Sequence, residues 1–222
     1  MQSSKLRSIL TWVFNLLTIH EVQGAQNVPS QGAFILATNH MSRADVPLLY
    51  IDTPRKDLVA LVADTYKSNP LFAFMVVTSR SIWIDRENAD FGAMRSALEH
   101  IRRGGALGIA PEGTRSRVGA LLPAKPGIAL LAEKTRVPVL PAALSGTEKT
   151  FTELFHFRKP HLKICFGKPF LLPPVDRADR EASLQRNTDE IMLRIAAMLP
   201  EQYHGYYARH PRLVELARQG VV

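Results

Sequence analysis

Ala33-Phe34-Ile35-Leu36-Ala37-Thr38-Asn39-His40-Met41-Ser42-Arg43-Ala44-Asp45-Val46-Pro47 is the stretch that decides the fold class. Its first six residues form a continuous apolar run that ends in a polar turn. Short unbroken runs suit strands covered on both faces, as in a parallel sheet. The turn leads into a helix with Pro47 early in it, where a missing N–H is tolerated. Strand, turn and helix together make the repeating unit of an α/β protein.

The same kind of run recurs at 58–63, 81–84, 106–110, 137–144 and 162–166. Pro138 and Pro141 in the fifth run predict an edge strand or an interrupted one, because proline gives no N–H to a ladder. Helical patterns fall between the runs. Over 90–103, Phe91, Met94, Leu98 and Ile101 share one face, and Arg95, Glu99, Arg102 and Arg103 lie toward the other. Gly104-Gly105 stops that helix. Further helices are expected over 126–134, 180–198 (Ile191, Ile195 and Met198 inward) and 211–219, with Pro173-Pro174 ahead of the long one. The alternation predicts an α/β fold with a mixed, largely parallel central sheet flanked by helices.

The chain has 222 residues, 46% hydrophobic and 22% charged, a length and composition that suit one globular domain. Its formal net charge of +8 favours anionic partners. Nucleic acid is not expected, since zinc patterns, aromatic RNA-reading motifs and Arg-rich arms are absent from the sequence. The single cysteine, Cys165, lies in an apolar stretch and reads as a small core residue.

Lys5 and Arg7 precede an apolar segment over 9–19 that is shorter than the ~20 residues needed to cross a bilayer. An amphipathic helix over 1–24 is expected ahead of a single domain over 25–222. Two readings of it stand level. It lies in a membrane interface with Trp12 and Phe14 inserted, or it packs on the domain's own core. The first puts the chain at the cytoplasmic face of a membrane, peripheral or monotopic, on an anionic surface.

The chemistry sits at the strand ends. A histidine with an ordinary pKa of about 6.5 can accept a proton near neutral pH. A carboxylate holding one ring nitrogen protonated leaves the other free as a base. A turn can fold Asp45 back onto His40, although a five-residue spacing alone is also met by a pair that merely ties a loop. Ala110-Pro111-Glu112-Gly113-Thr114-Arg115-Ser116 follows another buried run. Turn amides at Gly113 and Thr114, with the Arg115 guanidinium, suit a phosphate. Arg86 stands at the end of a third run and completes a two-arginine clamp, unless it pairs with Asp85 or Glu87. Glu112 is read as ordering Arg86, Arg115 or backbone amides around that phosphate. His40, Asp45, Asp85 and Glu112 show no recognised ligand spacing, so no metal is expected.

Taken in order, Asn39-His40-x4-Asp45, Ile84-Asp85-Arg86, Pro111-Glu112-Gly113-Thr114-Arg115-Ser116 and Val137-Pro138-Val139-Leu140-Pro141-Ala142-Ala143-Leu144-Ser145-Gly146-Thr147 resemble the lysophosphatidic acid acyltransferase (1-acylglycerol-3-phosphate acyltransferase) family of the glycerolipid acyltransferase superfamily. Ala110 stands where that family usually has an aromatic residue. The resemblance implies the family's α/β fold. It implies transfer of an acyl group from acyl-CoA or acyl carrier protein to a lysophospholipid hydroxyl. The thioester is a co-substrate and no cofactor is implied. His40 would be the base and Asp45 its orienting partner. Arg86, Glu112, Gly113, Thr114 and Arg115 would form the phosphate site, with Asn39, Ser42 and Lys125 as further candidates. Residues 71–77 read as an acyl-groove lining or as a plain core helix. A different lysophospholipid, glycolipid or ornithine-lipid acceptor is the nearest alternative. A catalytically silent lipid-binding module is the other.

Overall fold

The computed structural model describes residues 2–86, 88 and 90–220. Seven strands form one sheet: β1 (Ile19–Gln23), β2 (Phe34–Thr38), β3 (Val59–Ala63), β4 (Ile82–Ile84), β5 (Ala106–Ile109), β6 (Val139–Ser145) and β7 (His161–Phe166). Their order is β1-β7-β6-β2-β5-β3-β4. Every neighbouring pair is parallel except β6 with β7. The expected mixed, largely parallel sheet is therefore what forms. The helices are α1 (Gln2–Leu17), α2 (Asp45–Asp52), α3 (Pro70–Thr78), α4 (Phe91–Arg102), α5 (Gly127–Thr135), α6 (Thr150–Phe155), α7 (Arg180–Ala197) and α8 (Pro211–Gln219).

The continuous apolar runs become strands with two buried faces. Ile35 and Ala37 of β2 turn toward Ile101 of α4, Leu131 of α5 and Ile191 and Ile195 of α7. Phe34 and Leu36 turn the other way, into a cluster with Leu48 and Leu49 of α2 and Phe14 of α1. Cys165 is buried in the first cluster, as expected.

Three expectations are corrected in part. Of the two alternatives for β6 the edge fails, since the strand is interior, and the interruption holds, since a ladder is broken beside its prolines. Pairing to β7 starts at Ala142↔Phe166, an isolated bridge joins Val139 to Phe170, and between them Pro141 only accepts, from the Gly167 N–H (2.8 Å). The expected Ile101, Met94 and Leu98 of α4 do face the core, joined by Ala93 and Ala97, while Phe91 is exposed. Its alanines fit close against the sheet. Residues 1–24 do not stand apart from the domain, although Met1 lies outside the described residues. β1 is a strand of the sheet beside β7.

Helix α1 packs on the domain's own core through one face, and Phe14, expected to insert into a membrane beside Trp12, lies on that packed face. Leu6 is buried, Phe14 packs on the core, and His20 of β1 bridges Asn15 Oδ1 and Asp52 Oδ2 at 2.8 Å each. The opposite face leaves Ile9, Trp12 and Leu16 in solvent. Among the described residues no helix is long and apolar enough to cross a membrane.

After β6 the chain turns at Gly146, φ 79°, where a Cβ would overlap the carbonyl oxygen of His161. Gly146→Ala should therefore destabilise the fold by about 2–4 kcal/mol, combining backbone strain with overpacking. Gly127→Ala, at a helix start with nothing near its Cβ, should instead be neutral or stabilising by up to about 1 kcal/mol. Urea unfolding of both variants tests the contrast.

Candidate active site

The strand β2 stops at Thr38 and α2 starts at Asp45, so the His40 turn sits at the C-terminal edge of the sheet, where open α/β sheets bind ligands. Asn39 is completely buried. Its Nδ2 donates to the Leu144 carbonyl (2.9 Å) and its Oδ1 accepts from the Leu144 N–H (2.8 Å). It thereby pins the end of β2 to β6.

Asp45 folds back as expected. Its Oδ2 is 2.8 Å from His40 Nδ1 and accepts the N–H groups of Met41 (2.7 Å) and Ser42 (2.8 Å). Its side chain is 1% exposed and that of His40 12%. A carboxylate oxygen at Nδ1 calls for the proton there, which leaves the Nε2 lone pair free. Oδ1 of Asp45 is buried and has no hydrogen-bond partner among the described residues.

Strand β5 lies beside β2, and this brings the turn after Ile109 to His40. Glu112 is 3% exposed. Its Oε1 accepts the His40 N–H (2.9 Å) and its Oε2 the Leu122 N–H (3.0 Å). The Ser116 N–H donates to the His40 carbonyl at 2.7 Å. Both backbone groups of His40 are therefore held by the neighbouring turn. Burial pushes the Glu112 carboxyl from the usual 4.5 up to about 7; the two N–H donors oppose this and the Asp45 charge adds to it.

One cleft opens at these two turns, with about 1160 Å³ of free space counting its mouth. His40 and Asp45 line it, together with Arg43, Arg86 and Arg115. Burial lowers the Arg86 pKa and the nearby Arg115 charge lowers it further, while Tyr66 opposes them. Among the described residues none of the three arginines has a carboxylate partner. Asp85 accepts from Asn88 instead, and Glu87 lies outside the described residues. Cations that line one cleft without a carboxylate partner among the described residues favour a bound anion. The remaining walls are apolar: Leu36 and Leu49 below, Leu6 and Leu10 of α1 on one side, Phe72 and Met75 of α3 on the other. The 71–77 segment thus lines the cleft through one face, and it is not the plain core helix that was the alternative, because Leu71, Phe74 and Val77 are exposed.

The structure brings His40, Asp45, Arg86 and Arg115 together and removes others from the anion site. Asn39 is unavailable because its amide is committed to Leu144. Glu112 serves the backbone, and the Gly113 N–H closes the turn onto the Ala110 carbonyl (3.0 Å). Ser42, buried, accepts from the Ala44 N–H (3.2 Å). Thr114 and Lys125 are exposed and do not line the cleft; the Lys125 side chain runs over Gly113. Arg43 and Tyr66 line the cleft and were not anticipated. A basic residue inside the His40–Asp45 turn is the signal that points to Arg43.

Glu112 makes stability depend on pH. Between about 4.5 and 7 the folded carboxyl keeps a proton that the unfolded chain has released, so the Glu112 contribution falls as pH rises through that window. Glu112→Gln removes the titration and sets an amide NH₂ against one of the two N–H groups. Unfolding free energies of the two proteins should converge from pH 4.5 to 7 by on the order of 2–3 kcal/mol. A pH-independent difference in denaturant titrations would refute this.

Comparison with known proteins agrees with the geometry. The profile of the Acyltransferase family matches residues 19–145. A 1-acyl-sn-glycerol-3-phosphate acyltransferase of Borreliella burgdorferi is 30% identical over 145 residues, 64% of this chain and 57% of the relative. Its namesake in Cocos nucifera is 33% identical over 144 residues, 63% and 44% respectively. The match spans about half the length of these curated relatives. The crystal structure of the 1-acyl-sn-glycerophosphate (LPA) acyltransferase PlsC from Thermotoga maritima superposes with a TM-score of 0.62 at 24% identity, over 85% of this chain and 76% of that one. It shares the fold. With the profile covering more than half of its length, this chain belongs to the Acyltransferase family.

Proposed function

We propose that the protein is a membrane-surface O-acyltransferase that moves a fatty acyl group from acyl-CoA or acyl carrier protein to the free hydroxyl of lysophosphatidic acid, giving phosphatidic acid. One observation carries the reading. The His40–Asp45 pair opens onto a cleft lined by arginines that have no carboxylate partner among the described residues, and by apolar walls. An acceptor with a phosphate, a hydroxyl and an acyl chain has that same sequence of chemistries. The names of the relatives support the same class of substrate.

In this reaction His40 Nε2 takes the proton of the acceptor hydroxyl, and the oxygen attacks the thioester carbonyl. The tetrahedral adduct collapses with cleavage of the C–S bond, and the departing thiolate takes the proton back from the imidazolium. Asp45 stabilises that imidazolium and holds its orientation. Base assistance of this kind contributes ~10²–10⁴ in rate, and alignment of the two substrates adds to it. Arg86 and Arg115, joined by Arg43, hold the phosphate through charge-assisted hydrogen bonds.

The membrane supplies the acceptor. Both α1 and α3 wall the cleft with one face and expose apolar side chains on another: Ile9, Trp12 and Leu16, and Leu71, Phe74 and Val77. Helices of that character lie in the headgroup region, and the net charge of +8 favours an anionic leaflet.

His40→Ala should lower kcat by about 10³-fold or more while leaving the fold intact. Arg86→Ala should raise KM for lysophosphatidic acid about tenfold or more, and far less for a lysolipid without a phosphomonoester. Both are read in an acyl-transfer assay against a panel of lysolipids and thioesters. Full turnover in His40→Ala would sink the mechanism, and equal use of phosphate-free acceptors would sink the acceptor assignment.

A further inference from the structure

Helix α6 and the segment after it read Phe151-Thr152-Glu153-Leu154-Phe155-His156-Phe157-Arg158-Lys159. Phe155 is 81% exposed and Phe157 fully so, and Phe151 is exposed beside them. The backbone makes this costlier. Phe157 has φ 57° in a helix stop, where its N–H bonds the Leu154 carbonyl and the Arg158 N–H bonds the Glu153 carbonyl. Glycine takes that left-handed conformation without penalty, and phenylalanine does not. Backbone strain and an aromatic ring in water are both unfavourable; Phe155 has only an edge contact with the His156 ring, and no described residue covers Phe157.

The position of the segment suggests what does. β6 runs parallel to β2 and β7 returns antiparallel, so the segment lies at the same end of the sheet as His40. It also abuts the end of α1, since the Ile19 N–H donates to the Pro160 carbonyl (3.0 Å). There the exposed Leu16, Leu17 and Ile19 continue the apolar surface. Lys149, Arg158 and Lys159 surround it, and none of them pairs with a carboxylate among the described residues. Glu153 is the only acid from 149 to 159.

We infer that residues 149–159 are a further membrane contact, which inserts Phe155 and Phe157 into an anionic lipid surface while Lys149, Arg158 and Lys159 meet the headgroups. The inference rests on the membrane reading given above, in which α1 and α3 meet the lipid, and adds a point of attachment beyond the C-terminal end of α1. A contact there widens the footprint and fixes the tilt of the domain on the surface.

The test is flotation of the purified full chain with vesicles of one-third phosphatidylglycerol in phosphatidylcholine, and with phosphatidylcholine alone. Phe155→Ser/Phe157→Gly should lower partitioning to the anionic vesicles about tenfold or more. Phe157→Gly alone should lower partitioning and raise the thermal unfolding midpoint, a pair of opposite shifts that a purely structural Phe157 would not produce. Unchanged flotation of the double variant, with the wild type bound, overturns the contact at 149–159 and leaves those of α1 and α3. Failure of the wild type to float while it still acylates a micellar acceptor overturns all three. Normal flotation of the double variant with lost affinity for acyl carrier protein also overturns it, and assigns the segment to a protein partner.

Discussion

One carboxylate oxygen organises the site. Oδ2 of Asp45 collects the His40 imidazole and the N–H groups of Met41 and Ser42 within 2.8 Å. The three bonds close the turn between β2 and α2, and they set the ring tautomer at the same time. In an almost fully buried position each bond is stronger than it would be in water, and the unpaired charge would be costly. The loop geometry and the base are therefore a single arrangement. A residue that ordered the loop without a charge would leave the imidazole unsupported.

That turn is held from outside by backbone contacts. Glu112 and Ser116 take the N–H and C=O of His40, and Asn39 takes both backbone groups of Leu144. Each strand end in the middle of the sheet is tied to a neighbour. In the proposed reaction, preorganisation of this sort would keep the His40 imidazole in place before substrate arrives and lower the reorganisation needed.

The sequence makes the central strands legible because parallel strands are apolar on both faces, and an unbroken run such as 33–38 has few other uses. It hides β1, whose Ile-His-Glu-Val-Gln is an exposed edge held by backbone pairing. It also hides α6, whose six residues are too few for a periodicity. The alanines of the α4 stripe are missed because alanine carries little hydrophobic signal and packs closest. In the site, residue types at fixed spacing point to His40, Asp45, Arg86 and Arg115. Glu112 orders backbone amides, one of the roles expected of it, but which amides is not visible, and neither is the role of Asn39, since these partners lie 72 and 105 residues away. A side chain that serves the backbone and one that serves a ligand look alike in a motif.

The arginines near the cleft mouth carry a consequence for turnover. In the proposed reaction the phosphate is a spectator, present unaltered on acceptor and product. Arg43, Arg86 and Arg115 would hold both with equal strength, and uniform binding of that kind lowers KM without raising kcat. It would also retain the product. What changes during transfer is the number of acyl chains, from one to two. The second chain makes the bilayer a better solvent for the lipid than the cleft can be. The exit of product would then be driven by the membrane under α1 and α3, with the solvent phase taking no part in emptying the site.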